Sequence, residues 1–191
     1  VLPAQTQKIQ PGLEFRMDPK PEFAGKKMNK KLFNKTAIIT GGDSGIGRSV
    51  AIAFAKEGCD VGIIYLNEHK DARRTKFEVE RYGRKCMLIP GDIRDEKFCK
   101  RSVDKVVKIF KGLDILVNNA AVQFPQSSLE KISSKQLYRT FETNIFSYFY
   151  FAKAAVKYFK TGSTMINTTS VTAYRGSPEL LDYSSTKGAI V

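Results

Sequence analysis

Thr36-Ala37-Ile38-Ile39-Thr40-Gly41-Gly42-Asp43-Ser44-Gly45-Ile46-Gly47 is the stretch that decides the fold. A short apolar run ends in glycines. After them apolar residues recur at helical spacing, at Ile46, Val50, Ala53 and Phe54, and Gly58 marks the stop. That reads as a buried strand, a tight turn and a helix. The glycines have separate duties in such a unit. Gly41 permits the sharp turn, Gly45 leaves the backbone bare where a pyrophosphate can approach, and Gly47 lets helix and strand pack closely. The amides that open the helix offer free N–H groups and positive potential to that anion. Strand, turn and helix in this order predict a dinucleotide site.

Outward from the turn the pattern repeats. Apolar runs at 61–66, 85–89, 114–117 and 163–169 read as further strands. Helical spacing covers 69–82, 95–110 with Asp95 as its cap, 133–159 capped by Ser133 or Ser134, and a last helix from near Asp182. The strands are continuous apolar runs, so both faces of their sheet are covered. The fold class is therefore α/β, a doubly wound parallel sheet of Rossmann type. Right-handed crossovers give the expected strand order 3-2-1-4-5. Residues 1–31 carry Pro3, Pro11, Pro19 and Pro21 without periodicity. They are expected to form an extended N-terminal arm ahead of one nucleotide-binding domain at 32–191.

Composition narrows the partners. The 191 residues carry a formal charge of +13 and are 42% hydrophobic, enough for one domain with a substantial core. The lysines are dispersed. Their densest cluster, Lys26-Lys27-Met28-Asn29-Lys30-Lys31, has no interleaved aromatic residues on which bases could stack. The charge therefore reads as a solvated surface, and no nucleic-acid partner is expected. No stretch is apolar and long enough to span a bilayer, and no signal-peptide core is visible. Cys59, Cys86 and Cys99 are odd in number and lack metal-ligand spacing, as in a reduced, cytoplasmic protein. The single histidine, His69, falls at a helix start and reads as a surface residue, so neither a Ser-His-Asp triad nor a histidine metal site is expected.

The chemistry concentrates near the end of the chain. Tyr183-Ser184-Ser185-Thr186-Lys187 places a phenol and an ammonium four residues apart, on one face of a helix. A fixed positive charge favours the phenolate, so the pair can move a proton to or from an alcohol oxygen. Beside a dinucleotide site, such a pair points to hydride transfer.

With Thr40-Gly41-x3-Gly45-Ile46-Gly47, Asn118-Asn119-Ala120-Ala121, Asn144, Ser170 and Tyr183-x3-Lys187 in this order, residues 32–191 resemble the short-chain dehydrogenase/reductase family. Gly41-Gly42-Asp43-Ser44-Gly45, Gln10-Pro11-Gly12 and Leu181-Asp182-Tyr183 resemble one branch of it. That branch holds bacterial oxidoreductases described as general stress proteins or as glucose/ribitol dehydrogenase-like. The resemblance implies that Tyr183 is the general acid/base. Lys187 would favour the tyrosinate and hold the nicotinamide ribose, and Ser170 would donate to the reacting carbonyl. Asn144 would bend its helix and hold a water that links Lys187 to solvent. It also implies cofactor contacts at Gly41, Asp43, Ser44, Gly45, Ile46, Gly47, Tyr65, Leu66, Asp92, Ile93, Asn119 and Ala120. Asp92 would accept from the adenine amino group, with the Ile93 amide beside it; Asn118 and Asn119 would line the adenosine side and stabilise the sheet.

The cofactor is NAD or NADP. Tyr65 stands where an acid would select NAD or a base NADP, and it is neither. Ser44 stands where many NADP-using relatives have Arg or Lys, while Arg73 and Arg74 fall inside a helix. The implied substrate is a small carbonyl or alcohol: an aldehyde, ketone, sugar or polyol. A nucleotide-binding regulatory protein without turnover is the alternative on the same fold. The family pattern continues past the Tyr183 helix with further strands and a substrate lobe, so this chain is expected to be C-terminally incomplete and silent on substrate choice. Phe146, Tyr148, Phe149, Tyr150 and Phe151 ring their helix with aromatics. One face faces the core, and the other is expected at a subunit interface of a homo-oligomer, a tetramer or else a dimer.

Overall fold

Ile38 and Ile39 are adjacent, point to opposite faces of the sheet, and are both fully buried. They lie in β1 (Thr36–Thr40), the central strand of a five-stranded parallel sheet ordered β3-β2-β1-β4-β5, as expected. β2 (Asp60–Tyr65) and β4 (Ile115–Asn118) flank β1. β3 (Cys86–Pro90) and β5 (Thr164–Asn167) form the two edges. The computed structural model describes residues 13–19 and 30–191.

Each face has its own core. On one, α1 (Gly45–Lys56) and α2 (His69–Glu80) pack Ala51, Ile52, Ala72 and Val79 against Ile39, Val61 and Ile63. On the other, α3 (Glu96–Phe110) and α5 (Ser147–Val156) pack Val103, Val106 and Phe151 against Ile38, Ile64 and Leu116. All three cysteines are free and buried, and burial pushes each thiol up to about 12. The neutral form therefore prevails, and none is a reactive thiolate. Asp95 caps α3 as expected, its carboxylate accepting from the Lys97 amide at 2.8 Å.

The single helix expected over 133–159 runs from Ser134 to Val156 but is not α-helical throughout. α4 (Ser134–Phe141), capped by the Ser133 hydroxyl, gives way to a π-helical turn at Glu142–Phe146; α5 follows and stops at Val156. A π turn uses ordinary helix-forming residues, so composition does not announce it. Downstream of it Tyr148 and Phe151 face inward, while Phe146, the last residue of the turn, and Phe149 are 42% and 65% exposed.

Among the described residues of the arm, a 3-10 turn spans Glu14–Arg16, and Glu14 is buried. Pro3, Pro11, Pro21, the Gln10-Pro11-Gly12 motif and residues 26–29 of the lysine cluster lie outside the described residues. Among the described residues no helix is long and apolar enough to cross a membrane. No cluster of His, Cys, Asp and Glu there could hold a metal ion.

Candidate active site

The sheet reverses its winding between β1 and β4, and a cavity of about 480 Å³ opens beside the carboxyl ends of these strands. Its first wall is the glycine turn. A Cβ on Gly47 would lie 2.0 Å from the Gly41 carbonyl oxygen, so only glycine lets α1 approach β1 this closely. Gly45 opens α1 at φ +50, and a Cβ there would meet nothing within 4 Å. The bare backbone and the amides at the start of α1 suit the pyrophosphate of a dinucleotide. The turn is tied from both sides. The Thr40 hydroxyl accepts from the amides of Asn119 (2.9 Å) and Ala120 (3.0 Å), and the Asn119 side chain donates to the Thr40 carbonyl at 3.1 Å. Beneath the turn, the buried Arg48 guanidinium donates to the Asp43 carbonyl at 2.6 and 3.1 Å, to the Asp71 carbonyl at 3.1 Å and to the Thr75 hydroxyl at 2.9 Å. Arg48 also pairs with the carboxylates of Asp71 and Glu14, and Glu14 accepts from the Gly45 amide.

The opposite wall belongs to β5 and α7 (Leu181–Ile190). Ser170, Tyr183 and Lys187 line the same cavity as the glycine turn. The Lys187 ammonium lies 5.6 Å from the centre of the Tyr183 ring and donates to the Thr168 carbonyl at 2.7 Å. Burial lowers its pKa to about 8, so it still carries its charge at neutral pH. The Ser170 hydroxyl oxygen accepts from the Thr172 amide (3.2 Å) and hydroxyl (3.1 Å), which leaves its own proton for a third group.

The chain in which this glycine turn faces a Tyr-Lys pair across one cavity matches the family short chain dehydrogenase over residues 35–191. The chain belongs to the short-chain dehydrogenase/reductase family. General stress protein 39 of Bacillus subtilis (strain 168) is 56% identical over 99% of this chain and 67% of its own length. Glucose and ribitol dehydrogenase of Daucus carota is 47% identical over all of this chain and 68% of its own. A short chain dehydrogenase from Burkholderia cenocepacia J2315, solved in complex with NADP, superposes with a TM-score of 0.81 at 31% identity. That match covers 84% of this chain and 65% of the other. This dehydrogenase chain thus spans about two thirds of the length of the relatives it matches.

Of the cofactor contacts expected in this short-chain dehydrogenase, all but Gly47 line the cavity, from Gly41, Asp43, Ser44, Gly45 and Ile46 to Tyr65, Leu66, Asp92, Ile93, Asn119 and Ala120. Gly47 serves packing instead. Asn144 does not reach the cavity either. It lies fully buried in the π turn and brackets Val122, accepting from its amide and donating to its carbonyl, both at 2.9 Å. Its amide also donates to the Thr186 hydroxyl at 3.1 Å, one residue from Lys187. Asn118, in β4 itself, donates to the Asn167 side chain at 2.9 Å and stitches β4 to β5. Asp92 is gripped by Arg94, whose guanidinium forks onto both its oxygens. Burial pushes the Asp92 carboxyl up, and the Arg94 bonds more than offset this, holding it below the usual carboxylate range. Tyr65 donates to or accepts from His69 at 3.0 Å, so the exposed His69 has an inward partner.

Four further residues escaped the sequence reading. Arg48 and Glu14 fix the turn, and Glu68 lines the cavity. Asp182 is buried beside Tyr183, accepting from the Tyr183 amide (2.8 Å), the Gln136 side chain (3.0 Å) and the Thr140 hydroxyl (2.9 Å). It sets the start of α7 against α4. A signal existed for Asp182, which stands in the Leu181-Asp182-Tyr183 run that marks the branch.

Proposed function

We propose that this short-chain dehydrogenase is an NAD(P)-dependent oxidoreductase that transfers a hydride between nicotinamide and a small carbonyl or alcohol substrate. The observation that carries the reading is the convergence of Ser170, Tyr183 and Lys187 on the cavity that the glycine turn opens. A bound nicotinamide supplies the hydride donor and acceptor. Tyr183 exchanges the proton with the substrate oxygen, aided by the Lys187 charge alongside its ring. Ser170, with its own O–H uncommitted, donates to the same oxygen as negative charge develops there. Asn144 acts indirectly, through Thr186, by holding the Lys187 segment in place. The Daucus carota relative's name supports sugars or polyols within the substrate class, alongside aldehydes and ketones.

The cofactor is NAD or NADP, and the three unpaired thiols fit a cytoplasmic protein. The exposed Phe146, Phe149 and Val156 on one helix support a homo-oligomer, a tetramer or else a dimer. Absorbance at the reduced nicotinamide band, with the full-length protein and a panel of aldehydes, ketones and sugars, tests the activity. Cofactor binding without turnover on any substrate would favour the regulatory alternative.

A further inference from the structure

Gln136, Thr140 and Asn144 stand at every fourth position of α4 and the π turn that continues it, and together they form a polar row against α7. The Asp182 carboxylate accepts from the Gln136 side chain at 3.0 Å and from the Thr140 hydroxyl at 2.9 Å. One turn further along, the Asn144 side chain donates to the Thr186 hydroxyl at 3.1 Å. Thr140, Asn144 and Thr186 are fully buried and Asp182 is only 3% exposed, so each of these polar groups depends on its partner. The row grips Tyr183 from both sides. The Tyr183 amide donates to Asp182 Oδ1 at 2.8 Å, and its carbonyl accepts from the Thr186 hydroxyl at 2.7 Å. Neither Asp182 nor Thr186 lines the cavity, so both act from behind the residue that does.

Asp182 also decides which way its partners point. A carboxylate accepts and cannot donate. The Gln136 amide must therefore turn its NH2 group to Asp182, and the same group reaches the Phe124 carbonyl at 3.1 Å. The Gln136 oxygen is left to accept from the Gln126 side chain at 2.7 Å. The Gln126 backbone amide in turn donates to the Glu179 carbonyl at 2.8 Å, in the segment that leads into α7. Val122, two residues before Phe124, lines the cavity. One buried carboxylate thus ties Tyr183 and the segment that carries Val122 into a single network.

We propose that Asp182 is a positioning residue for the reaction: acting through Gln136 and Thr140, it sets the Tyr183 phenol against the Val122 wall, so that a substrate oxygen meets the phenol within reach of proton transfer. This rests on the hydride-transfer reading above. Such a step is sensitive to placement, and an offset of about 1 Å costs on the order of 100-fold in rate. Asparagine at 182 would keep the shape and lose the function. Its NH2 group would face either the Tyr183 amide or the Gln136 and Thr140 donors, so one side of the grip could not close.

Steady-state kinetics of the full-length protein test it, on the compound of the aldehyde, ketone and sugar panel that the wild type turns over fastest. Sites are counted by NADH fluorescence titration, so that kcat refers to folded protein. Asp182→Asn should lower kcat by roughly 10- to 100-fold while NADH affinity stays within about threefold, because the glycine turn is untouched. Gln136→Met keeps the side chain's length and removes its donor. It should lower kcat by about tenfold, and the double variant should be no worse than Asp182→Asn alone, as for two halves of one contact. Thr140→Val removes a single donor, should lose several-fold in kcat, roughly one hydrogen bond's worth, and carries the test if Asp182→Asn fails to fold by circular dichroism. Unchanged kcat in the variants, losses that multiply in the double variant, or a fall in NADH affinity as large as the fall in kcat would each overturn the positioning role and leave the hydride-transfer reading intact. A wild-type protein that turns over no compound of the panel would overturn both.

Discussion

At the glycine-turn end of the cavity the fixing groups are neutral ties from Thr40 and Asn119 joined by a buried ion: one guanidinium, Arg48, held among the carboxylates of Glu14 and Asp71. At the Tyr183 end they are mostly neutral: Asn144 on Val122, Thr169 on the Lys187 carbonyl, and the hydroxyl and amide around Asp182. The charged group there, Lys187, enters no salt bridge among the described residues and leans on the Thr168 carbonyl. A charge balanced on every side is a fastener, because moving it costs its partners. A charge held by a carbonyl and two rings is still available to a reacting oxygen. The cavity thus has one end built to stay still and one built to act.

The hardest test of that contrast concerns chemistry. Tyr183→Phe removes the proposed proton carrier and touches no fastener. It should lower kcat by roughly 10²- to 10⁴-fold, the range of general acid–base catalysis, with NADH affinity unchanged. Near-normal turnover would dissolve the distinction between the two ends. A smaller effect compares the fasteners directly. Arg48→Met strands two buried carboxylates and should cost about 3–5 kcal/mol of unfolding free energy. Asn144→Ala strands a neutral amide and carbonyl of Val122 and should cost only about 1–3 kcal/mol. Urea denaturation of both variants decides it, and the reverse ranking would mean that the neutral end carries the greater load.

The smallest effect is a pH inflection at Lys187. Its charge is lost as pH rises through about 8, so dinucleotide affinity should decline several-fold above that point. Lys187→Arg, charged throughout, should flatten the curve. The same residue links folding to pH in a definite direction. Its folded value lies below its ordinary 10.5, so between about 8 and 10.5 the unfolded chain binds more protons. Its contribution to stability therefore rises with pH across that window, as the cost of burying the ammonium is relieved.

The two ends also differed in how far the sequence revealed them. The turn was legible because strand, glycines and helix are contiguous, and each glycine's duty follows from local backbone geometry. Tyr183 and Lys187 were legible because four residues of helix bring them onto one face. Arg48 was not, since its partners sit at 14, 71 and 75 and meet only after α1 and α2 pack. Asn144 was half legible. A bend at its position was expected, whereas its grip on Val122, 22 residues earlier, depends on where the β4 loop runs. Glu68 was overshadowed by Tyr65, because it lies in the turn beyond the strand and reaches the cavity wall only through the path of that turn.

The π turn at Glu142–Phe146 acts as a phase shift in the chain. One surplus residue turns everything after it by about 100° relative to an unbroken α-helix. Tyr148 and Phe151 meet the sheet because of that offset; without it Ser147 and Tyr150 would take their places. The turn therefore holds one residue to spare. Deleting it would close the segment to an ordinary α-helix with Tyr148 and Phe151 still toward the sheet, whereas a deletion within α5, which has no surplus to give up, would rotate the residues beyond it out of the core.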